Sequence, residues 1–371
     1  MRVVLSGGGT GGHIYPALAV ASRCAAEFPE SEFLYIGGQR GLESTLVPKA
    51  GIPFEAIDIT GFRRKLSFEN MKTVIRFLKG VSRSKQLLRE FKPDVVIGTG
   101  GYVCGPVVYA AAKLGIPSVI HEQNAVPGLT NRFLSKYVST VAVSFEGSEQ
   151  AFPGAKHVIY TGNPRATTVF EADKNKGFAS LGLPQGSSIV LVVGGSRGAK
   201  AINRAMVEMA PFVRNLGHLS FVYVTGDTYY EATLREIQTQ TGGVPKNLMV
   251  KPYVHDMPEV LAATSLIVNR AGASFLAEMT SLGIPSILIP SPNVTNNHQE
   301  KNARTMEKAG AARVILEPDL NGQRLFSAIK DIMLDPSLHA SMSESSRKLG
   351  KPESAGLIVE EMRRLSAGSR K

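Results

Sequence analysis

Residues 3–16 read Val3-Val4-Leu5-Ser6-Gly7-Gly8-Gly9-Thr10-Gly11-Gly12-His13-Ile14-Tyr15-Pro16: an apolar run, a glycine loop and the start of a helical stretch. Strand, glycine loop and helix form the opening unit of a parallel α/β sheet. The loop backbone curls around an anion, and the helix aims unpaired N–H groups at it. Glycine fills five of the six positions from Gly7 to Gly12, more than a tight turn requires. Gly7, Gly9 and Gly12 also have the GxGxxG spacing of dinucleotide sites, but that reading needs an acid at the end of the second strand. The second strand, Phe33-Leu34-Tyr35-Ile36, ends in Gly37-Gly38, and Glu32 lies at its other end. A nicotinamide or flavin cofactor is therefore not expected, and no GxxxxGK[ST] sequence supplies a P-loop.

The pattern repeats outward from this stretch. Short Val/Ile-rich runs alternate with helical segments and predict strands near 2–5, 33–37, 54–57, 94–98, 117–121, 139–143 and 157–161. A second set is predicted near 188–193, 219–225, 247–250, 265–269, 285–289 and 312–316. Leu114-Gly115-Ile116-Pro117-Ser118 recurs as Leu282-Gly283-Ile284-Pro285-Ser286, and the first loop has a counterpart in Gly194-Gly195-Ser196-Arg197-Gly198-Ala199. Second glycine turns follow at Gly98-Thr99-Gly100-Gly101 and Arg270-Ala271-Gly272. The expected fold class is α/β: two doubly wound, Rossmann-like domains, residues 1–163 and 164–371, facing each other across a cleft at the strand carboxyl ends. Residues 354–365 read as a helix that packs back on the first domain.

Composition narrows the function classes. A chain of 371 residues, 43% hydrophobic and 20% charged, suits two globular domains rather than a disordered chain. Val3 already belongs to a strand, so no signal peptide is expected. The window 95–116 is too interrupted by glycine and Pro106 to span a membrane. Cys24 and Cys104, without a CxxC, suggest neither a disulfide framework nor a metal site. The net charge of +11 is concentrated: residues 63–92 hold ten Lys or Arg against two acids. On a helix predicted from Glu69 to Glu90, Lys72, Arg76, Lys79 and Arg83 form a stripe, with Ile75 and Leu78 beside it. Such a stripe is either a solvated face or a docking surface for an anionic membrane. Nucleic acid is not expected, because no array of base-stacking aromatics accompanies it.

Several polar groups fall at predicted strand mouths. His13 is either a structural histidine or a general base beside an anion loop, with an unperturbed pKa near ~6.5 that suits neutral pH. His121-Glu122-Gln123-Asn124 ends the apolar run Ser118-Val119-Ile120, where polar residues line a cleft better than they fill a core. In the second loop, Ser196 can donate its hydroxyl to a diphosphate, and the next helix adds about half a positive charge. No Asp-x-Asp triplet is present to hold a nucleotide through a metal. Glu278 can accept both hydroxyls of a ribose, or can lie on a solvated helix face.

Taken in order, six motifs resemble the MurG family of bacterial peptidoglycan glycosyltransferases nearly end to end. They are Gly8-Gly9-Thr10-Gly11-Gly12-His13, Gly100-Gly101-Tyr102-Val103-Cys104-Gly105-Pro106, His121-Glu122-Gln123-Asn124, Gly162-Asn163-Pro164, Gly194-Gly195-Ser196-Arg197-Gly198-Ala199 and Asn297-His298-Gln299. The resemblance implies a GT-B fold and an inverting transfer, without metal or cofactor, of N-acetylglucosamine from UDP-N-acetylglucosamine to the muramoyl 4-hydroxyl of lipid I, giving lipid II. It implies donor contacts from Thr10, Gly11, Gly12, Asn124, Arg165, Ser196, Val254, Ala273, Ser274, Phe275, Leu276, Ala277, Glu278 and Gln299. Among these, Val254 would serve the uracil, Glu278 the ribose and Ser196 the diphosphate. Phe275 is bulkier than the small or hydroxylated residue expected there.

The acceptor would lie against Tyr102 and His121, with His13 as base and Glu122 as the alternative. Lys72, Ile75, Arg76, Leu78 and Lys79 would meet the anionic inner leaflet, making a peripheral protein on the cytoplasmic face of the cell membrane. Cell-wall synthesis proteins would be its partners. Two readings compete: a UDP-N-acetylglucosamine 2-epimerase of the same fold, and a non-catalytic sugar-nucleotide-binding subunit that recruits a membrane partner.

Overall fold

The computed structural model describes residues 1–61, 68–195, 197–294 and 297–368. It divides into two compact units, Met1–Thr167 with Lys351–Lys371, and Thr168–Gly350. In the first unit seven parallel strands stand in the order β3-β2-β1-β4-β5-β6-β7: β1 (Arg2–Ser6), β2 (Glu32–Gly38), β3 (Phe54–Ile57), β4 (Val95–Gly98), β5 (Ser118–Glu122), β6 (Thr140–Val143) and β7 (Val158–Tyr160). In the second unit six parallel strands stand in the order β10-β9-β8-β11-β12-β13: β8 (Ser188–Val193), β9 (Leu219–Val224), β10 (Leu248–Lys251), β11 (Thr264–Asn269), β12 (Ser286–Leu288) and β13 (Ala312–Val314). Each run expected from the sequence carries a strand. The strand order reverses between β1 and β4 in one sheet and between β8 and β11 in the other. Loops leaving a doubly wound sheet at such a point diverge and leave room for a ligand.

Unbroken apolar runs form these strands because helices cover both sheet faces. Val4, Ile36, Val96 and Ile120 point to the side of α3 (Phe68–Phe91) and α4 (Cys104–Lys113). Val3, Leu5, Val95 and Ile97 point to the side of α1 (Gly11–Glu27) and the C-terminal helix Ser354–Gly368. Ile358, Val359 and Met362 of that last helix are fully buried with Ile14, Ala17 and Val20 of α1. Each of the Ile, Val and Met side chains contributes about 1.5–3 kcal/mol. Thr167 anchors the return, its Oγ1 donating to Pro352 O at 2.6 Å and accepting from Ala355 N at 3.1 Å.

α3 is amphipathic in a way that separates its charges. Thr73, Gly80, Val81, Ser84, Leu87 and Leu88 are buried, at the three- and four-residue spacing of one helix face. Val74, Ile75 and Leu78 are exposed, flanked by Lys72 and Lys79. Arg76 and Arg83 turn instead to β3 and its following residues, pairing with Asp58 at 3.5 Å and Glu55 at 3.3 Å. The stripe is thus interrupted: two of its four cations are already paired. Arg63 to Lys65, which complete the basic segment, lie outside the described residues. Among the described residues no helix is long and apolar enough to cross a membrane.

Candidate active site

The first glycine loop is organised from within by an acid. Glu43, at the start of the short helix α2 (Glu43–Lys49), is fully buried. Its Oε2 accepts from Gly9 N at 3.1 Å and its Oε1 from Gly38 N at 3.0 Å. A Cβ on Gly8, Gly38 or Gly41 would come within 2.8 Å of this carboxylate. These glycines therefore make room for Glu43, which already occupies a loop N–H that a phosphate would need. The sequence signal for Glu43 was only the set of glycines around it, spread over 34 positions.

The loop also interlocks with the turn after β4. Gly8 N donates to Gly100 O at 3.3 Å, and a Cβ on Gly101 would lie 2.3 Å from Gly8 O. Thr99 Oγ1 donates to His13 O at 2.6 Å. Tyr102, partly exposed, lays its ring against Gly9 and Gly61. Thr10, in extended conformation, caps α1, and Thr10 and Gly12 are exposed at its N-terminus, with Gly11 partly so.

His13 stands in the first turn of α1. Its Nδ1 lies 3.1 Å from Thr99 O and 3.2 Å from Gln123 Oε1, whereas its Nε2 has no hydrogen-bond partner among the described residues. Desolvation by the surrounding protein lowers its pKa, against the raising influence of Glu122, Gln123, Thr99 and Glu43. It is therefore neutral at neutral pH, the state a base requires.

His121 and Glu122 sit differently from a cleft lining. His121 is fully buried; its Nε2 meets Gly162 O at 2.9 Å and Ser144 Oγ at 3.2 Å, and its Nδ1 meets Gln123 Nε2 at 3.0 Å. Neither ring nitrogen is left for an acceptor. Glu122 is buried with both oxygens engaged: Oε1 accepts from Asn124 N and Nδ2, and Oε2 from Gly128 N and Asn131 Nδ2. That carboxylate shapes the loop after β5 and holds Asn124. The same strand mouth looked polar in sequence because these groups satisfy one another.

Burial pushes the His121 pKa down to about 4, against the hydrogen bond to Gly162 O, which favours the protonated ring. The unfolded histidine titrates near ~6.5. Between those values the unfolded chain binds a proton that the folded one refuses, so stability falls as pH drops from about 6.5 towards 4. The loss is expected to reach about 3 kcal/mol. Denaturant midpoints at pH 7 and pH 5 check it; a flat profile would mean that His121 is not held neutral.

Arg165 donates its backbone N–H to Asn163 Oδ1 at 3.1 Å and sets its guanidinium 5.2 Å over the Tyr15 ring.

In the second unit the loop after β8 presses on the loop after β9. Gly198, with φ +72°, would place a Cβ 2.0 Å from Thr225 O, and Gly226 would place one 2.6 Å from Gly198 N. The helix Lys200–Met209 begins at once, with Ala199 as its N-cap. Ser196 lies outside the described residues. After β11, Arg270 bonds Ile289 O at 3.0 Å and pairs closely with Glu317. It thereby steadies the start of the helix Ala273–Leu282. That helix carries Ser274, Phe275 and Ala277 partly exposed, and Leu276 and Glu278 buried. Val254 is buried after β10. Gln299 Oε1 accepts from Ser291 N at 2.9 Å, its amide N–H groups having no partner among the described residues. Among the described residues no cluster of three or more His, Cys, Asp or Glu is placed to hold a metal ion.

Residues 3–143 match the glycosyltransferase family 28 N-terminal domain, and residues 189–358 match the glycosyltransferase family 28 C-terminal domain. UDP-N-acetylglucosamine--N-acetylmuramyl-(pentapeptide) pyrophosphoryl-undecaprenol N-acetylglucosamine transferase 1 of Bacillus cereus is 54% identical over 98% of this chain and 99% of its own. The transferase of that name from Halalkalibacterium halodurans is 56% identical over 96% and 97%. The crystal structure of Acinetobacter baumannii MurG aligns with a TM-score of 0.76 at 29% identity, covering 98% of this chain and 99% of that one. A UDP-GlcNAc 2-epimerase from Neisseria meningitidis aligns with a TM-score of 0.71 at 17% identity, over 98% and 100%, a likeness of fold alone.

Proposed function

The chain belongs to glycosyltransferase family 28 and, within it, to the MurG transferases, and from that membership we propose that its first unit supplies the base while its second holds the donor. The reaction is transfer of N-acetylglucosamine from UDP-N-acetylglucosamine to lipid I, producing lipid II. In our reading it is one in-line displacement with inversion. The muramoyl 4-hydroxyl oxygen attacks the anomeric carbon, and the bond to the diphosphate breaks with its electrons leaving on UDP. The hydroxyl proton passes to His13 Nε2.

The observation that carries the base assignment is that unshared nitrogen, on a ring kept neutral beside two interlocked glycine turns. Glu122 is set aside as base because four donors already fill its oxygens. The leaving diphosphate is stabilised by Ser196 and the N-terminus of the helix Lys200–Met209, a preorganised electrostatic contribution. Glu278 and Val254 take the ribose and uracil, Gln299 turns its amide N–H groups to the sugar, and residues 273–277 line the nucleotide. Thr10, Gly11, Gly12, Asn124 and Arg165 complete the donor contacts, and Tyr102 the acceptor side. The test is UDP release in the presence of a polyprenyl-linked muramoyl acceptor. Release that depends on acceptor and yields a β-linked disaccharide is expected; donor epimerised without acceptor would overturn the reading.

The exposed face of α3 is our candidate for peripheral attachment to the anionic cytoplasmic leaflet, where lipid I would be met. Val74, Ile75 and Leu78 supply apolar area, and Lys72 and Lys79 about 1 kcal/mol each near such a surface. Replacing both lysines with glutamate is expected to weaken sedimentation with phosphatidylglycerol vesicles by at least about tenfold, sparing UDP-N-acetylglucosamine binding. Arg76→Glu should matter less, because Arg76 is committed to Asp58. Unaltered sedimentation of the double variant would return this face to solvent.

A further inference from the structure

The buried polar chain behind His13 runs in one direction only, fixed by carbonyls that can accept but never donate. Gly162 O lies 2.9 Å from His121 Nε2, so that nitrogen carries the proton. Neutral His121 then offers Nδ1 as an acceptor, and Gln123 Nε2 donates to it at 3.0 Å. The same Gln123 nitrogen faces Thr99 O at 2.6 Å and His121 O at 3.1 Å. Three acceptors around one end of the amide identify that end as NH2, and Oε1 must point the other way. It points to His13 Nδ1 at 3.2 Å, which also meets Thr99 O at 3.1 Å. Two acceptors face Nδ1, so the proton of neutral His13 sits there and the lone pair is at Nε2.

Burial makes this order hard to break. His121 is 0% exposed and Gln123 3% exposed, so water does not stand in for a lost partner. Reversing any link would set donor against donor, or acceptor against acceptor, in a dry site. We infer that His121 and Gln123 are positioning residues that lock His13 in its Nδ1–H tautomer and so present Nε2 to the acceptor hydroxyl. The inference rests on the reading of His13 as base. Neither positioning residue touches substrate: one is two hydrogen bonds from the reacting atoms, the other three. The two histidines consequently hold opposite tautomers, His13 protonated at Nδ1 and His121 at Nε2.

Histidine-15N-labelled full-length protein tests this directly, because one- and two-bond 1H–15N correlations report which ring nitrogen carries the proton. The chain has seven histidines, and His13→Ala and His121→Asn assign the two of interest. The expected result in the unsubstituted protein is Nδ1–H for His13 and Nε2–H for His121; either signal reversed overturns the inference. Gln123→Leu is expected to mix the His13 tautomers and lower kcat about tenfold, with the KM for UDP-N-acetylglucosamine unchanged. Full kcat with unmixed signals in Gln123→Leu would reduce Gln123 to a space filler and overturn the inference. A fall in kcat without change in the His13 signals would overturn it as well. Mixed signals with full kcat would leave the positioning intact and remove His13 as base. Should Gln123→Leu fail to fold, the signals of the unsubstituted protein still decide.

Discussion

Replacing His13 with alanine is expected to lower kcat by about 10²–10⁴ at saturating acceptor, the range lost with a general base. The KM for UDP-N-acetylglucosamine should change little, since the ring's hydrogen bonds run to Thr99 and Gln123. The pH profile offers a second check. Desolvation lowers the His13 pKa below the ordinary histidine value, so the acid limb of kcat should fall below pH ~6.5 and vanish in the alanine variant. Near-normal turnover in that variant would remove His13 from the chemistry and leave the arrangement around it as packing.

Gly198→Ala carries the second large effect. A Cβ there meets a backbone carbonyl, Thr225 O, at 2.0 Å, and the backbone is left-handed with φ +72°. The conformation alone costs an L-residue about 1–2 kcal/mol, and forcing two backbones apart adds about 1–3 kcal/mol. A loss of roughly 3 kcal/mol is expected in denaturation, together with a rise of at least about tenfold in the donor KM as the loop retreats. Gly195 supplies the control, since it has φ +99° but open space where its Cβ would go. Its alanine variant should show only the smaller conformational cost. Equal effects at the two positions would contradict the close passage of the loops after β8 and β9.

Most of the fold was legible because parallel strands buried on both faces leave continuous apolar runs, and because glycine marks where a backbone must pass another closely. Leu5 followed by Gly7, and Val193 followed by Gly194, announced both sheets. What stayed hidden depended on partners far along the chain. Glu43 reads as an ordinary acid opening a short helix, yet it fills the hollow among Gly8, Gly38 and Gly41. His121 and Glu122 read as cleft lining, because a polar group whose partners are Gly162, Ser144 or Asn131 looks unsatisfied until those segments are folded beside it. The α3 stripe looked continuous because helical spacing cannot show that Asp58 and Glu55 lie next to Arg76 and Arg83. His13 was visible as a candidate; the nitrogen it leaves open was not, since that is decided at Thr99 and Gln123.

The chain leaves its first unit at Thr167 and re-enters it at Lys351, and this sets a timetable for synthesis. All seven strands of the first sheet have been made by Tyr160, but Ile358, Val359 and Met362, which cover α1, come near the end. At ~5–20 residues per second, on the order of ten to forty seconds pass between the two. The second unit, a single continuous segment, is fully synthesised within that interval. The part translated first is therefore completed last, and for that time a nascent chain carries a bare apolar helix face on which aggregation competes with completion.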